Sequence, residues 1–414
     1  MTCPIKLAPS LCAGLVLGAA AGSVQATGFD LPDQDAFAGA RGMAFVATAD
    51  NPSAIYYNPA GITQLSGHNV RGGFYGLYLG TTYRPAAGGS YDNQNQLHAV
   101  PQFFYTFSPD TLPLAFGLGV YSPFGLSSKW PQDSGFRTVA TEGSLTYMTA
   151  NPVVAWKVLP TLSIAGGVMA SYCEMELEQG LTPIPNNDLF RFRGHDSDVG
   201  FNLGLRWELH PKLVLGVTYR SETTMNLEGH TTTAVNTPVP PAFPAAFALQ
   251  QDASARFPFP QKTVVGLSYR PTPSWNIEFN ADWTDWSRLK SVTLNQSILP
   301  AQTLVFDWQS SFYYEWGATR YLGNGWAVSA GYIYNQNSVP DEHYSPLVFD
   351  MDRHFLSVGA GFKGRRFTCD AAYQFGYGPA RTVSGSVPSA WGQTADGRYD
   401  FMSHALFLML GWKF

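Results

Sequence analysis

Between Trp275 and Thr284 the chain alternates without a break: Trp275, Ile277, Phe279, Ala281 and Trp283 are apolar, while Asn276, Glu278, Asn280, Asp282 and Thr284 are polar. Successive side chains of a β-strand point to opposite faces, so this stretch predicts a strand with one greasy and one polar side. The same period returns in 199–207, where Val199, Phe201, Leu203, Leu205 and Trp207 oppose Asn202 and Arg206, and in 367–375, where Phe367, Cys369, Ala371, Tyr373 and Phe375 oppose Thr368, Asp370 and Gln374. Charged residues are 13% of the chain and aromatics 14%, a balance too apolar for disorder and unusual for a surface that faces water. Beyond the first 26 residues no run of about 18 apolar residues occurs, which excludes transmembrane helices. Lipid offers no partner to an open strand edge, so the spanning solution left is a closed barrel.

The alternation predicts strands near 67–81, 97–108, 113–127, 141–157, 161–177, 194–209, 212–228, 257–270, 274–287, 304–322, 325–338, 350–363, 366–378 and 400–414, an even count of fourteen. Tight connections at 108–112, 158–160, 210–211, 271–273, 323–324 and 364–365 alternate with long ones around 82–96, 128–140, 178–193, 229–256, 288–303, 339–349 and 379–399. Short turns on one side and long loops on the other are the signature of an outer-membrane barrel with periplasmic turns. Trp156, Trp207, Trp283, Trp286 and Trp326 suit interfacial girdles. The last strand carries Leu406, Leu408, Leu410, Trp412 and a terminal Phe414 as one apolar stripe, and Phe414 is expected to serve the barrel assembly machinery as a signal.

Residues 1–26 combine Lys6, an apolar stretch from Leu11 to Ala21 and the small-residue site Val24-Gln25-Ala26, so they read as a cleavable secretory leader. Cys12 lies inside that apolar stretch and follows Leu11, which argues against a lipoprotein. Without the leader 24 basic face 30 acidic side chains, a formal charge of −6 that does not suggest a nucleic-acid partner. Cys173 and Cys369 fall on distant strands and opposite faces, so no disulfide is expected. No Gly-x-Ser-x-Gly or His-Glu-x-x-His motif occurs and the histidines are scattered, so the chain is expected to be no enzyme and to hold no metal or cofactor.

Residues 27–66 fit poorly as spanning strands, being rich in Ala, Gly and small polar residues with a turn-forming run at 50–53. A wide barrel leaves a lumen unless something fills it, so this segment is expected to be a plug, followed by the barrel over 67–414. Within it stands Asn58-Pro59-Ala60, preceded by Gly39-Ala40-Arg41-Gly42 and Asn51-Pro52-Ser53; Phe116-Gly117 and Ser122-Pro123-Phe124-Gly125-Leu126 follow in the third strand. In their order and spacing these features resemble the FadL family of outer-membrane transporters for long-chain fatty acids and other hydrophobic compounds (OMPP1/FadL/TodX).

The resemblance implies an all-β fold, a 14-stranded antiparallel transmembrane barrel with an amino-terminal hatch inside the lumen. It also implies a passive outer-membrane channel for long-chain fatty acids or similar compounds, with hatch movement at Asn58, Pro59 and Ala60. Exit would be sideways, through a kink of the third strand at Pro123, Phe124 and Gly125. Pro123 cannot donate to a ladder and Gly125 permits a bulge, although a frayed strand end fits the same residues. An aromatic-hydrocarbon channel of the same family shares every one of these features, and a general porin is the further alternative.

The third and fourth outer loops are implied to form a hydrophobic groove of Leu181, Ile184, Leu189 and Phe190 against Phe243, Phe247 and Leu249; loop-on-loop packing without ligand is the other reading. Met169, Met175, Phe407 and Met409 point into the lumen and would either line a pocket or pack against the hatch. Arg206, Arg220, Lys157 and Arg41 are the candidate cations for a carboxylate head group, each with the alternative of a structural ion pair to Glu208, Glu222 or Glu278. The expected partners are a fatty acid or other hydrophobic small molecule, outer-membrane lipid and lipopolysaccharide, for a protein acting as a monomer.

Overall fold

The computed structural model describes residues 28–185 and 188–414; the leader expected over 1–26 lies outside the described residues. The wall strands run, in chain order, Gly67–Arg84, Leu97–Ser108, Leu114–Tyr121 continued by Gly125–Lys129, Glu142–Leu159, Leu162–Gln179, Leu189–His210, Leu213–Arg220 continued by Thr223–Val235, Phe247–Phe259 continued by Lys262–Tyr269, Trp275–Thr284, Ser311–Gly323, Trp326–Asn335, Arg353–Lys363, Phe367–Val383 and Gly397–Lys413. Each pairs antiparallel with the next, and the fourteenth pairs with the first from Asn69↔Lys413 to Arg84↔Arg398, which closes the barrel. The fourteen staves and their side-to-side asymmetry follow the alternation read from the sequence.

The alternation also sets which face each residue takes. On the ninth stave Ile277 and Phe279 are exposed on the outside, while Asn276, Glu278, Asn280 and Asp282 are buried inside. Outward Leu406, Leu408 and Leu410 of the last stave form part of the lipid-facing band, and inward Ala405, Phe407 and Met409 are buried. Outward Phe312 and Tyr314 stack nearly parallel along the tenth stave, and Tyr314 stacks on Tyr334 of the eleventh with ring centroids 6.4 Å apart. Trp156, Trp207 and Trp326 are about half exposed at the turn side, as a girdle requires. Cys173 and Cys369 are both free.

Three expectations change. Trp286 is fully buried rather than interfacial, because the ninth stave ends at Thr284 and the chain turns inward as a short 3-10 helix at Trp286–Arg288. The connection expected over 229–256 is mostly strand: the seventh stave continues to Val235 and the eighth begins at Phe247. Its period is carried by Thr231, Thr233 and Val235 on the buried side, a weaker apolar signal than the proline-rich run that follows. The loop expected over 288–303 is instead a hairpin of Ser291–Gln296 and Gln302–Val305, whose first arm pairs with Ala253–Ala255, and the tenth stave starts at Ser311 rather than 304.

A charge on the lipid face should therefore cost more than one near the rim. Leu406→Arg, near the middle of the last stave, is expected to destabilise the barrel by about 2–4 kcal/mol in urea titrations in lipid; a loss below about 1 kcal/mol would contradict the placement of this face in the bilayer.

Candidate functional site

Residues 28–65 fold inside the barrel as two short helices, α1 (Ala36–Ala40) and α2 (Ala54–Tyr57), and a 3-10 turn at Pro59–Gln64, nearly all of it buried. Such a segment cannot satisfy its own backbone, so the wall supplies partners. Asp35 caps α1 by accepting from Phe37 N at 2.8 Å and Ala38 N at 3.2 Å, and the same carboxylate pairs with Arg71 of the first stave at 2.5 Å. Arg71 reaches on to Asp370 of the thirteenth stave at 2.8 Å. On the opposite wall Glu278 accepts from Ala47 N at 2.8 Å and Thr48 N at 3.0 Å and lies 3.5 Å from Arg41, which also donates to Asn276. The polar faces of the staves thus meet hatch atoms rather than water.

Asn58 joins the two sides of this docking. Its amide donates to Val46 O at 2.8 Å within the hatch and to Leu205 O at 2.9 Å on the sixth stave, and its side-chain oxygen accepts from Ala60 N at 3.2 Å. The wall residue under it is Gly204, where any side chain would meet Asn58 and Pro59. Gly331 plays the same part beneath Arg41 and Gly42, letting two backbones approach directly. Burial pushes the Tyr56 phenol up to about 12 and that of Tyr57 well above its ordinary value. Both stay neutral, and Tyr57 Oη donates to Pro32 O at 2.9 Å while accepting from Gln34 N.

The third stave is broken where Pro123 stands. Leu114–Tyr121 pairs with both neighbours, from Phe103↔Val120 to Phe107↔Phe116 on one side and Leu114↔Trp156 to Tyr121↔Thr149 on the other. Gly125–Lys129 pairs with the fourth stave alone. The outer half of the second stave, from Leu97 to Gln102, therefore has no ladder partner on that side; Pro101 within it has no N–H to lose. The first outer loop closes the gap above, with Gln94 N donating to Lys129 O at 2.8 Å and Asn93 Nδ2 to Ser128 Oγ at 2.9 Å. What remains is a window in the wall.

The amino-terminal end of the hatch lies across this window. Leu31 N donates to Pro123 O at 2.8 Å and Gly125 N to Phe29 O at 2.9 Å, so Asp30 and Phe124 face one another as a short antiparallel bridge. Gln34 Nε2 donates to Ser122 O at 2.7 Å, and from the far edge Gln102 Nε2 donates to Asp33 O at 2.8 Å. Phe29 is set among aromatic rings: Trp286 at 4.8 Å, Phe259 at 5.6 Å and Phe124 at 6.1 Å between centroids. Beside it a cavity of about 20 Å³ is lined by Asp30, Phe124, Tyr147, Met169, Arg220 and Lys262, among others.

Of the lumen candidates, then, Met169 and Arg220 share one cavity with Phe124. Arg220 donates to Tyr56 O at 2.8 Å and stacks on the Tyr56 ring at 4.1 Å. Arg206 pairs with Glu208 at 2.7 Å and donates to Ala47 O, and Lys157 is exposed, so the four candidate cations do not form one head-group site. Arg288, not one of them, pairs with Glu222 at 2.7 Å. Phe407 lies against Gly39 of the hatch and 4.6 Å from the Tyr75 ring, and Met409 against Gly73. Met175 is buried in the core.

Of the groove residues, Phe190, Phe247 and Leu249 point to one face and Leu189 does not. Phe190 and Leu249 lie in the same cross-strand row with Thr233 and point to the same face, whereas Leu189 points to the other face. Ile184 is exposed, Leu181 packs on the core, and Phe243 sits 6.1 Å from Phe247. Alternation overrides the apolar composition of this region, because adjacent residues of a strand cannot share a surface. Lys262 went unnoticed in the sequence: its Nζ lies 2.6 Å from Asp30 and 2.7 Å from Asp282, beside the Pro260 break of the eighth stave.

With this geometry in place, the family model described as Outer membrane protein transport protein (OMPP1/FadL/TodX) matches residues 17–414. The chain belongs to this family. It is accordingly an outer-membrane β-barrel protein. A long-chain fatty acid transport protein of Escherichia coli O6:H1 is 23% identical over 270 residues, 63% of this chain and 57% of that relative, so the chain spans little more than half of that relative's length. A FadL homologue of Pseudomonas aeruginosa shares the fold at a TM-score of 0.80 with 19% identity, covering 94% of this chain and all of that one. The toluene transporter TodX of Pseudomonas putida shares it at 0.75 with 17% identity, over 93% and 99% of the two chains.

Asn58→Ala removes both carbonyl-directed bonds of this docking and is expected to weaken it by about 1–3 kcal/mol. Limited proteolysis checks it: cleavage within 42–52 should accelerate while the barrel stays resistant, and equal hatch protection in the variant would contradict the docking role of Asn58.

Proposed function

We propose that this protein is a passive outer-membrane channel for long-chain fatty acids or similar hydrophobic compounds, in which the hatch moves and the cargo leaves sideways through the third-stave window. The observation that carries the reading is the window at Ser122–Gly125 filled by hatch residues 29–34 instead of by a neighbouring strand. Two backbone bonds, the Gln34 and Gln102 side-chain bonds and the Asp30–Lys262 pair hold that filling, and in this reading a ligand that displaces Phe29 from its aromatic setting also uncovers the gap. An apolar solute gains roughly 0.8 kcal/mol per CH₂ by passing into lipid without crossing water. Asn58, Pro59 and Ala60 anchor the hatch in this reading; Pro123, Phe124 and Gly125 form the exit, and Phe124 and Met169 contact cargo.

The names of similar proteins support the same class, fatty acid transport for one and toluene transport for another. Aromatic hydrocarbons are the second cargo reading, favoured by the rings around Phe29. A general porin fits less well with a lumen filled by residues 28–65, and the reading assigns the chain no catalysis. Exposed Phe414, whose N–H donates to His68 O at 3.0 Å, serves as the assembly signal in this account.

Asp30 and Phe124 form a bridge pair flanked by the two backbone bonds, the closer type of antiparallel pair and a suitable place for a disulfide. In cells lacking their own transporter, Asp30→Cys with Phe124→Cys should cut labelled oleate uptake at least about tenfold when oxidised and recover it on reduction, with labelled toluene run in parallel to rank the cargoes. Uptake unchanged by oxidation would contradict hatch movement at the window.

A further inference from the structure

The turn Gly364-Arg365-Arg366 joins the twelfth stave, which ends at Lys363, to the thirteenth, which begins at Phe367. Aromatic side chains bracket it. Trp326 of the eleventh stave pairs in register with Phe362, their rings 5.3 Å apart, and Phe367 pairs with Trp412 of the last stave, rings 6.4 Å apart. Trp326 and Trp412 are about half exposed. Such a girdle marks the level at which acyl chains give way to head groups. The turn just beyond it therefore stands among the head groups of the periplasmic leaflet, which is built of phospholipid.

Four cations gather at this level, Lys363, Arg365, Arg366 and Lys413, and all are exposed. They line one cavity of about 330 Å³, which Trp412 also borders, so they converge on a single place. Among the described residues none of the four has an ion-pair partner; Lys413 Nζ donates to Ser66 Oγ at 2.7 Å. The two acids of the same cavity are engaged with other arginines, Asp370 with Arg71 at 2.8 Å and Asp50 at 3.7 Å from Arg270. By contrast, at the outer end of the barrel Arg84 and Arg398 share Asp400, Arg191 holds Glu178 and Arg288 holds Glu222. Like charges this close repel one another, and an anion from the membrane offsets that repulsion.

We infer that this turn is a docking site for an anionic phospholipid of the periplasmic leaflet, one whose phosphate carries the head group's only charge, such as phosphatidylglycerol. A guanidinium fork matches two phosphate oxygens in parallel hydrogen bonds, and Lys363 and Lys413 add point charges. Each basic residue near a membrane surface adds to the attraction for anionic lipid, so four in one place discriminate where one does not. A zwitterionic head group brings an ammonium that these cations repel. The rings of Trp326 and Trp412 offer the acyl chains an apolar surface at the level where the head group meets the cations. The site lies at the turn side, apart from the third-stave window, and does not depend on what the channel carries.

The full-length barrel, extracted in mild detergent from vesicles of phosphatidylglycerol and phosphatidylethanolamine in equal parts, can be weighed with its retained lipids by native mass spectrometry. The wild type should retain phosphatidylglycerol over phosphatidylethanolamine by at least about tenfold, and Arg365→Ser with Arg366→Ser should lower that ratio by at least about fivefold. Arg84→Ser with Arg398→Ser, which removes the same charge from the outer end, should leave the ratio unchanged. Heat-modifiable migration reports folding of each variant, and if the turn variant fails to fold, Lys363→Ser with Lys413→Ser takes its place. A wild type without preference overturns the inference whichever variant folds. So does a ratio that survives in the folded turn variant, or one that falls equally in the outer variant and so follows net charge alone. An excess of inorganic phosphate should leave the retained lipid in place; its displacement would make this a site for free phosphate and overturn the lipid assignment.

Discussion

A backbone N–H or C=O facing lipid has nothing to bond, and this constraint governs the rest of the structure. It requires the fourteenth stave to meet the first along its length, from Asn69↔Lys413 to Arg84↔Arg398. It also makes the break at Pro123 notable, since a proline and an unpaired half-strand stand in the wall of a membrane barrel. At the break the chain's own amino-terminal segment bonds to the third stave, with the Leu31 amide to Pro123 O and the Gly125 amide to Phe29 O, and takes one side-chain bond from Gln102 of the second. The amino-terminal segment thus bonds to the wall at its break as well as filling the lumen.

What keeps that piece in place differs along its length. Around Asn58, Arg41 and Asp35 it is fixed by buried charge pairs and by direct backbone approach at Gly204 and Gly331. Removing one partner of a buried pair costs about 3–5 kcal/mol, so these contacts resist change. At residues 29–31 the hold is two backbone bonds, the Asp30–Lys262 pair and the stacking of Phe29. Under the proposed route an apolar ligand competes with that stacking, at the end of the hatch that lies across the third-stave break.

Much of this was legible in the residues. Trp275 to Thr284 displays both faces of a stave by inspection, and the turn and loop lengths order the staves, because a two-sided environment imposes a period of two that no tertiary contact overrides. Pro123 and Gly125 allow a break by local chemistry, but a frayed strand end fits them as well, and the family resemblance is what favours the break. The failures are of two kinds: where a stave begins or ends, and which residues meet across the lumen. Trp286 looks like a girdle residue until the strand ends two positions earlier and turns it inward. Leu189 and Phe190 look like one greasy patch, yet alternation sends them to opposite faces. Lys262 meets Asp30 of the amino-terminal segment, 232 residues away, so no spacing announces the pair.

The most direct test of the central claim is amide hydrogen exchange at Leu31 and Gly125, the two N–H groups bonded across the window, in the lipid-embedded protein with and without oleate. The account predicts that saturating oleate accelerates exchange at both amides while the hatch amides of Ala47 and Thr48, held by Glu278, keep their protection. Unchanged protection of Leu31 and Gly125 in protein that is transporting oleate would contradict it.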